Sequence, residues 1–221
     1  MTKNISIEEK VFNANDQLAG TINERLVQAG LFSLNIMASP GAGKTSLIEK
    51  TLEIMVPEHK IAVIDGDIAT SIDADRAAKA GATAVQINTG GQCHIDANML
   101  QKALLGLDLD TFDLLLVENV GNLICPASFS LGTDKNILIA SIPEGDDKPY
   151  KYPGMYLDVN ALIINKIDLH PYVDFDMDYF IQGVQILNPD LVIFPLSCKT
   201  GEGIQDWVSW VMDHIQNYSI K

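Results

Sequence analysis

FSLNIMASPGAGKTSLIEKTLEIM (residues 32–55) decides the fold. Its first seven residues are apolar at most positions and read as a strand over 32–38, and the spacing predicts a helix over 44–55. Between them lies Ala38-Ser-Pro-Gly-Ala-Gly-Lys-Thr45, a glycine-rich turn in the strand-to-helix setting that makes a phosphate loop credible. Small residues at Gly41, Ala42 and Gly43 let successive backbone N–H groups wrap an anion, and the helix N-terminus adds partial positive charge. Lys44 is placed to reach β- and γ-phosphates, the Thr45 hydroxyl to ligate Mg²⁺, and Ser46 continues the cradle. The usual first glycine of the motif is replaced by Ala38.

The same alternation continues along the chain. Strands are predicted over 60–66, 82–88, 112–120, 135–142, 159–166 and 191–197, and helices over 73–80, 95–105, 174–185 and 203–217. Leu114, Leu115, Leu116 and Val117 run without polar interruption, as do Leu162, Ile163 and Ile164. Such runs imply cover on both faces, the condition of a parallel sheet between helices, so the fold class is α/β. Residues 7–28 read as an amphipathic helix with Val11, Leu18, Ile22 and Leu26 on one face and Gly30 as its stop. Residues 1–30 form this helical segment and 31–221 the nucleotide-binding unit, one domain overall.

Composition narrows the class. The chain has 221 residues, Lys+Arg 15 against Asp+Glu 29, and a formal net charge of −14. That acidity disfavours a nucleic-acid binder, and no Lys/Arg cluster suits an anionic membrane. No run reaches the ~20 apolar residues of a membrane span, and MTKNISIEEK lacks a signal-peptide core, so a cytoplasmic protein is expected. The three cysteines, Cys93, Cys125 and Cys198, are too scattered for a disulfide framework.

Asn165-Lys166-Ile167-Asp168 follows a predicted strand. A carboxylate at Asp168 can accept from guanine N1–H and its 2-amino group, donors that adenine lacks there. Asn165 can support the O6/N7 side, the Lys166 stem can lie over the ring, and Ser197, Cys198 and Lys199 can offer backbone N–H to O6. The cofactor is therefore GTP or GDP. Glu118 ends a buried-type strand, where an uncompensated carboxylate is costly and a cation partner is expected. Mg²⁺ near Thr45, with Asp67 as a further shell member, meets that need. Asp73 either orients the attacking water or caps the helix that begins beside it.

Cys93 and His94 are adjacent, and Cys125 lies just past the Glu118 strand. Thiolate and imidazole suit Zn²⁺ or Ni²⁺, although cysteine is also a common buried apolar residue. Three donors leave either an open position or room for donors from a second copy across a two-fold axis. His59, His170 and His214 have no donor-rich neighbours and read as surface or packing residues.

Taken together, SPGAGKTSL (39–47), GDIATSIDADR (66–76), NTGGQCHIDA (88–97), DLLLVENVGNLICPA (113–127), EGDDKPYKYP (144–153) and NKIDL (165–169) resemble the HypB family of hydrogenase nickel-incorporation GTPases. The resemblance implies a P-loop sheet of the signal-recognition and MinD-like class, slow GTP hydrolysis by Lys44, Asp73 and Glu118, and Mg²⁺ at Thr45, Asp67 and Glu118. It implies a Ni²⁺ or Zn²⁺ site of Cys93, His94 and Cys125 at the interface of a nucleotide-dependent homodimer. It further implies a lysine, Lys151 in preference to Lys148, reaching the facing subunit's nucleotide. The implied partners are a small HypA-like zinc protein and the [NiFe]-hydrogenase large-subunit precursor. Some family members carry an N-terminal Cys-x-x-Cys or His-rich nickel segment, whereas residues 1–30 contain neither Cys nor His. Other readings of the same residues are a GTPase chaperone for urease nickel or cobalamin, and a metal-trafficking protein whose P-loop only gates assembly.

Overall fold

The computed structural model describes residues 7–67 and 71–218, with side chains from Phe12 onward. Seven strands form one parallel sheet: β1 (Phe32–Ala38), β2 (Ile61–Asp67), β3 (Thr83–Asn88), β4 (Leu114–Glu118), β5 (Lys135–Ser141), β6 (Ala161–Asn165) and β7 (Val192–Pro195). Their spatial order is β3-β2-β4-β1-β5-β6-β7. The chain winds outward in both directions from the middle of the sheet, and β1, which feeds the phosphate loop, lies at the reversal, where such sheets bind ligands.

The apolar runs have the predicted cause. Every residue of β1 and β4 is buried. In β4, Leu114 and Leu116 enter one packed layer with β1 residues Phe32, Leu34 and Ile36, while Leu115 and Val117 enter the opposite layer. The first layer is covered by α2 (Lys44–Met55), α3 (Ile72–Lys79) and α8 (Ile204–Tyr218). The other is covered by α1 (Ile7–Gln28) and α4 (Ala97–Leu104) on one side of the sheet. It continues beyond them under the single-turn helix α6 (Gly154–Leu157) and α7 (Met177–Leu187), and a further single-turn helix, α5 (Lys148–Lys151), packs on α7 at Gly183. Trp207 of α8, fully buried, donates its indole N–H to Thr51 of α2 at 2.9 Å, satisfying the one polar atom that its burial would strand.

Ile22 and Leu26 of α1 are fully buried against α4 and β4, and Gly30 at φ 66° ends the helix as expected. The Val11 side chain lies outside the described residues. Asn15 of α1 donates to Ser130 O at 2.8 Å and accepts from Ala97 N–H at 2.9 Å, so α1 is bonded to the start of α4 and to the loop after residue 125. Element ends moved where caps decide them. Asp96 accepts from Met99 N–H and starts α4 at Ala97 rather than at residue 95, and Asp176 does the same for α7. Phe112 ends a 3₁₀ turn, so β4 starts at Leu114. Among the described residues no helix is long and apolar enough to cross a membrane.

Candidate functional site: two ion-binding clusters beside a nucleotide cleft

The loop after β1 takes the shape that its glycines permit. Gly41 (φ 77°) and Gly43 (φ 109°) occupy the left-handed region, and a Cβ at Gly43 would meet Asn165 Nδ2 at 2.3 Å. Ala38 is fully buried in the core at the end of β1, so the substitution of the usual glycine places a methyl in packed apolar surroundings. Burial lowers the Lys44 ammonium below its ordinary value, and the carboxylates of Glu118, Asp73 and Asp65 work against that shift.

A cavity of about 480 Å³ opens over the loop, lined by Gly41, Gly43, Lys44, Thr45 and Ser46 and on its far side by Asp67, Asp73 and Glu118. A second, of about 300 Å³, adjoins it and is lined by Gly43, Ser46, Asn165, Lys166, Asp168, Cys198 and Lys199. Gly43 and Ser46 belong to both. The pair forms one two-chambered cleft, with cationic and N–H groups in the larger chamber and the carboxylate of Asp168 in the smaller.

The residues of the smaller chamber hold one another in place. Asn165 Nδ2 donates to Ala42 O at 2.9 Å and Lys166 Nζ to Gly41 O at 2.6 Å, stapling this chamber to the phosphate loop. Asn165 Oδ1 accepts from Lys166 N–H and Cys198 N–H, so its buried amide fixes two loops at the wall of the chamber. Lys166 is the one non-glycine residue with positive φ (63°) among the described residues, a strain of about 1–3 kcal/mol of the kind found at binding sites. Asp168 accepts from Ser197 Oγ at 2.6 Å, which orients its carboxylate. Burial pushes the Cys198 thiol up to about 11.

Buried beside the acidic wall of the larger chamber is a residue that the sequence reading did not single out, Asp65. Oxygens of Asp65, Asp73 and Glu118 lie within 4.8 Å of one another. Asp65 and Glu118 are register partners on β2 and β4, and both are buried. Burial, then Asp73 and Asp67, push the Asp65 carboxyl up to about 6. Burial pushes Glu118 up to about 7, opposed by the Thr45 hydroxyl, which donates to Glu118 Oε1 at 2.8 Å, and by Lys44. Asp65 Oδ2 has no hydrogen-bond partner among the described residues. An orphaned buried carboxylate oxygen beside a second buried carboxylate and a hydroxyl is a hard-oxygen donor set that fits Mg²⁺.

Asp73 sits in the first turn of α3 without capping it, and pairs with Arg76 at 3.3 Å. Arg76 in turn grips Glu49 of α2 through two bonds, at 2.6 and 2.8 Å. Asp67 borders the larger chamber, and residues 68–70 of the segment GDIATSIDADR lie outside the described residues.

The soft donors converge within one chain. Ligand atoms of Cys93, His94 and Cys125 lie within 4.8 Å of one another, and Cys93 Sγ is 3.7 Å from His94 Nδ1. All three residues are half-buried, with free thiols. The His94 ring stacks on Phe129 at 3.9 Å, and burial lowers its protonation below the ordinary imidazole value. The Cys93 sulfur, followed by burial, raises the Cys125 thiol. Lys151 is exposed, pairs with Asp147, and borders neither chamber. Glu144, also outside the sequence reading, accepts from Ser39 Oγ and ties the segment that carries Lys151 to the phosphate loop.

Comparison with known proteins follows the same lines. Residues 33–195 match the family described as CobW/HypB/UreG, nucleotide-binding domain. The hydrogenase maturation factor HypB of Azotobacter vinelandii is 43% identical over 207 residues, covering 94% of this chain and 68% of its own. The crystal structure of HypB from Helicobacter pylori in complex with nickel superposes with a TM-score of 0.88 at 39% identity, covering 93% of this chain and 97% of that one. The signal recognition particle receptor FtsY of Elizabethkingia anophelis, at 15% identity and a TM-score of 0.57 over 93% of this chain and 71% of its own, shares the fold alone.

Proposed function

This chain belongs to the CobW/HypB/UreG family, and within it to the HypB hydrogenase maturation factors, and on that premise we propose that it is a slow GTPase that loads and releases Ni²⁺ during [NiFe]-hydrogenase assembly. GTP occupies the two-chambered cleft. Its triphosphate lies on the loop N–H groups and Lys44, and its guanine sits against Asp168. Thr45, Asp65, Asp67 and Glu118 are the residues that would hold Mg²⁺, which would supply neutralisation of the phosphate charge.

Lys44 offsets charge on the transferring phosphoryl group. Asp73, braced by Arg76, orients the water, and Glu118 returns to its ionised form when a cation faces it. Cys93, His94 and Cys125 carry the cargo ion, Ni²⁺ or Zn²⁺, as thiolates and a neutral imidazole. In the GTP state two copies associate, the partner's copy of the segment around Lys151 closing on the nucleotide. Hydrolysis loosens the trio, and the ion passes to the large-subunit precursor with a HypA-like protein in attendance. The thiols require a reducing compartment, and the cytoplasm is that compartment.

One observation carries this reading. The sulfur–nitrogen trio and the acidic wall both hang on the end of β4, with Glu118 and Cys125 seven residues apart in one stretch. The test is gel filtration with bound-metal analysis in GDP and in a non-hydrolysable GTP analogue, beside GTP turnover. The expected result is a Ni²⁺-loaded dimer with the analogue, unloading with GDP, and loss of bound Ni²⁺ in Cys125→Ala. Equal Ni²⁺ binding in both nucleotide states, or unchanged binding in Cys125→Ala, overturns it.

A further inference from the structure

Two buried asparagines lie between the clusters, and neither belongs to the cleft or to the trio. Asn119 follows Glu118 and is fully buried. Its side-chain oxygen accepts from Ile95 N–H at 3.0 Å and from Val120 N–H at 2.9 Å. Its amide nitrogen donates to Asn35 Oδ1 at 3.1 Å, in the strand that feeds the phosphate loop. Asn35 passes the contact on to Asn136 of β5 at 3.0 Å.

Ile95 is the residue after His94. It is fully buried, and its side chain covers Gly66 between Asp65 and Asp67: a Cβ at Gly66 would stand 2.5 Å from Ile95 Cδ1 and 3.4 Å from Glu118 O. The Cys93–His94 loop is therefore seated on the ends of β2 and β4 that form the acidic wall. Cys125 is held separately. Asn122 accepts from Cys125 N–H at 3.3 Å and donates its own backbone N–H to Ala38 O at 2.8 Å, at the entrance of the phosphate loop.

We propose that Asn119 is the positioning residue that transmits nucleotide state to the Cys93–His94 half of the trio. The inference rests on the reading above, in which the nucleotide controls the ion. Asn119 has three buried bonds and no slack. When the Glu118 end of β4 moves against a γ-phosphate and its cation, the Ile95 N–H must follow or stay buried without an acceptor, which costs its full desolvation. Cys93 and His94 travel with Ile95, while Cys125 follows Ala38. The two halves hang on Asn119 and Asn122, which bond separately to Ile36 O and Ala38 O of β1, and displacement of Asn119 against Asn122 opens or closes the trio.

The test is a Ni²⁺ titration of the intact protein, loaded with Mg²⁺ and either GDP or a non-hydrolysable GTP analogue. The unmutated chain is expected to show an affinity ratio of about fivefold or more between the states, and Ni²⁺ must shift the preference for analogue over GDP by the same factor. In Asn119→Ala the ratio falls toward one, while both states still bind Ni²⁺ far better than Cys93→Ala does. A role confined to stability would weaken both states together and leave the ratio unchanged. A wild-type ratio in Asn119→Ala overturns the proposal and spares the gating reading, whereas a ratio of one in the unmutated chain overturns both. Should Asn119→Ala fail to fold, amide exchange at Ile95 in the unmutated chain decides. A difference of about fivefold or more between nucleotide states is expected, and equal exchange overturns the proposal.

Discussion

The two clusters are alike in span and opposite in chemistry. Three oxygens of Asp65, Asp73 and Glu118 and three soft atoms of Cys93, His94 and Cys125 each fit within 4.8 Å. The first set is largely buried and lies under the nucleotide cleft, with two carboxyls pushed up toward neutrality. The second is half-exposed and carries an imidazole stacked on Phe129 and two free thiols. A buried oxygen set suits an ion that arrives with its nucleotide and is covered by it. A half-exposed sulfur–nitrogen set suits an ion that must leave. Selectivity follows from ligand softness, and residence from burial.

The largest effect that can break this division comes from Lys44. Lys44→Ala should lower GTP turnover by about 10²–10³-fold, the loss typical of one preorganised charge partner. Ni²⁺ affinity of the nucleotide-free protein should not change. Turnover assays beside metal titration of the same variant check it, and a parallel loss in both would mean that the clusters are not chemically separate.

Cys125→Ala should weaken Ni²⁺ by at least about 100-fold, the upper end of what loss of an outer-shell contact costs. GTP affinity should stay at the wild-type value. The pH dependence sharpens the same point. The Cys125 thiol is raised and the His94 imidazole lowered, so on binding the ion must expel the Cys125 proton, while burial has already favoured the neutral imidazole. Affinity should rise with pH, by up to about tenfold per unit for each proton released. A flat profile between mildly acid and neutral pH would remove the thiols from the ligand set.

Asp168→Asn addresses the cleft alone. Loss of a charged acceptor to guanine should cost about 1.5–3 kcal/mol, or about 10–150-fold in preference for GTP over ATP. Fluorescent-nucleotide competition reads this directly, with Ni²⁺ binding untouched. Because Ser197 orients Asp168, Ser197→Ala should follow in the same direction with a smaller effect.

How much of this was legible in sequence follows from where its determinants lie. β1 and α2 fall on their predicted bounds because Pro40, Gly41 and Gly43 punctuate the chain between them. The trio was legible by residue type, but its convergence was legible only through the family resemblance and not from spacing. Cys125 and Cys93 meet only because residues 119–122 fold back on β1 through backbone bonds to Ile36 and Ala38. Asp65-Gly66-Asp67 reads as an acidic strand end, and Asp67 rather than Asp65 was chosen from it because the sequence does not say which carboxylate faces Glu118. That depends on the β2–β4 register, although an Asp inside the run Ile61–Asp65 was itself a signal of a paid-for charge. Asn35 and Asn119 gave the same kind of signal, polar residues in buried strand ends whose partners are remote in sequence. Asn165 was legible as part of the guanine motif, but the structure uses its amide to hold loops together.

The smallest expected effect concerns stability rather than activity, and it isolates the acidic cluster from the soft one. Glu118 and Asp65 have native values of about 7 and about 6, above the ordinary 4.5 and 3.8. Between the unfolded and the folded values the native state binds more protons than the unfolded chain does, so unfolding free energy falls as pH rises. For Glu118 the window runs from about 4.5 to about 7, and for Asp65 from about 3.8 to about 6. Without Mg²⁺ and nucleotide, the protein should therefore melt at a lower temperature at pH 7.5 than at pH 5.5. The net charge of −14 drives the same trend through self-repulsion, so the slope alone does not identify its source. Glu118→Gln does: it removes the titration while keeping an acceptor for the Thr45 hydroxyl, and its melting temperature should depend less steeply on pH. Mg²⁺ with GDP should flatten the wild-type curve, because a cation facing the carboxylates removes the cost of ionising them. Ni²⁺ alone, bound at the sulfur–nitrogen trio, should raise the wild-type and Glu118→Gln curves alike, most at higher pH, and leave the difference in slope between them unchanged. If Ni²⁺ abolished that difference as Mg²⁺ does, the two clusters would be sharing one ion, and the division between a covered oxygen site and an open soft site would fail.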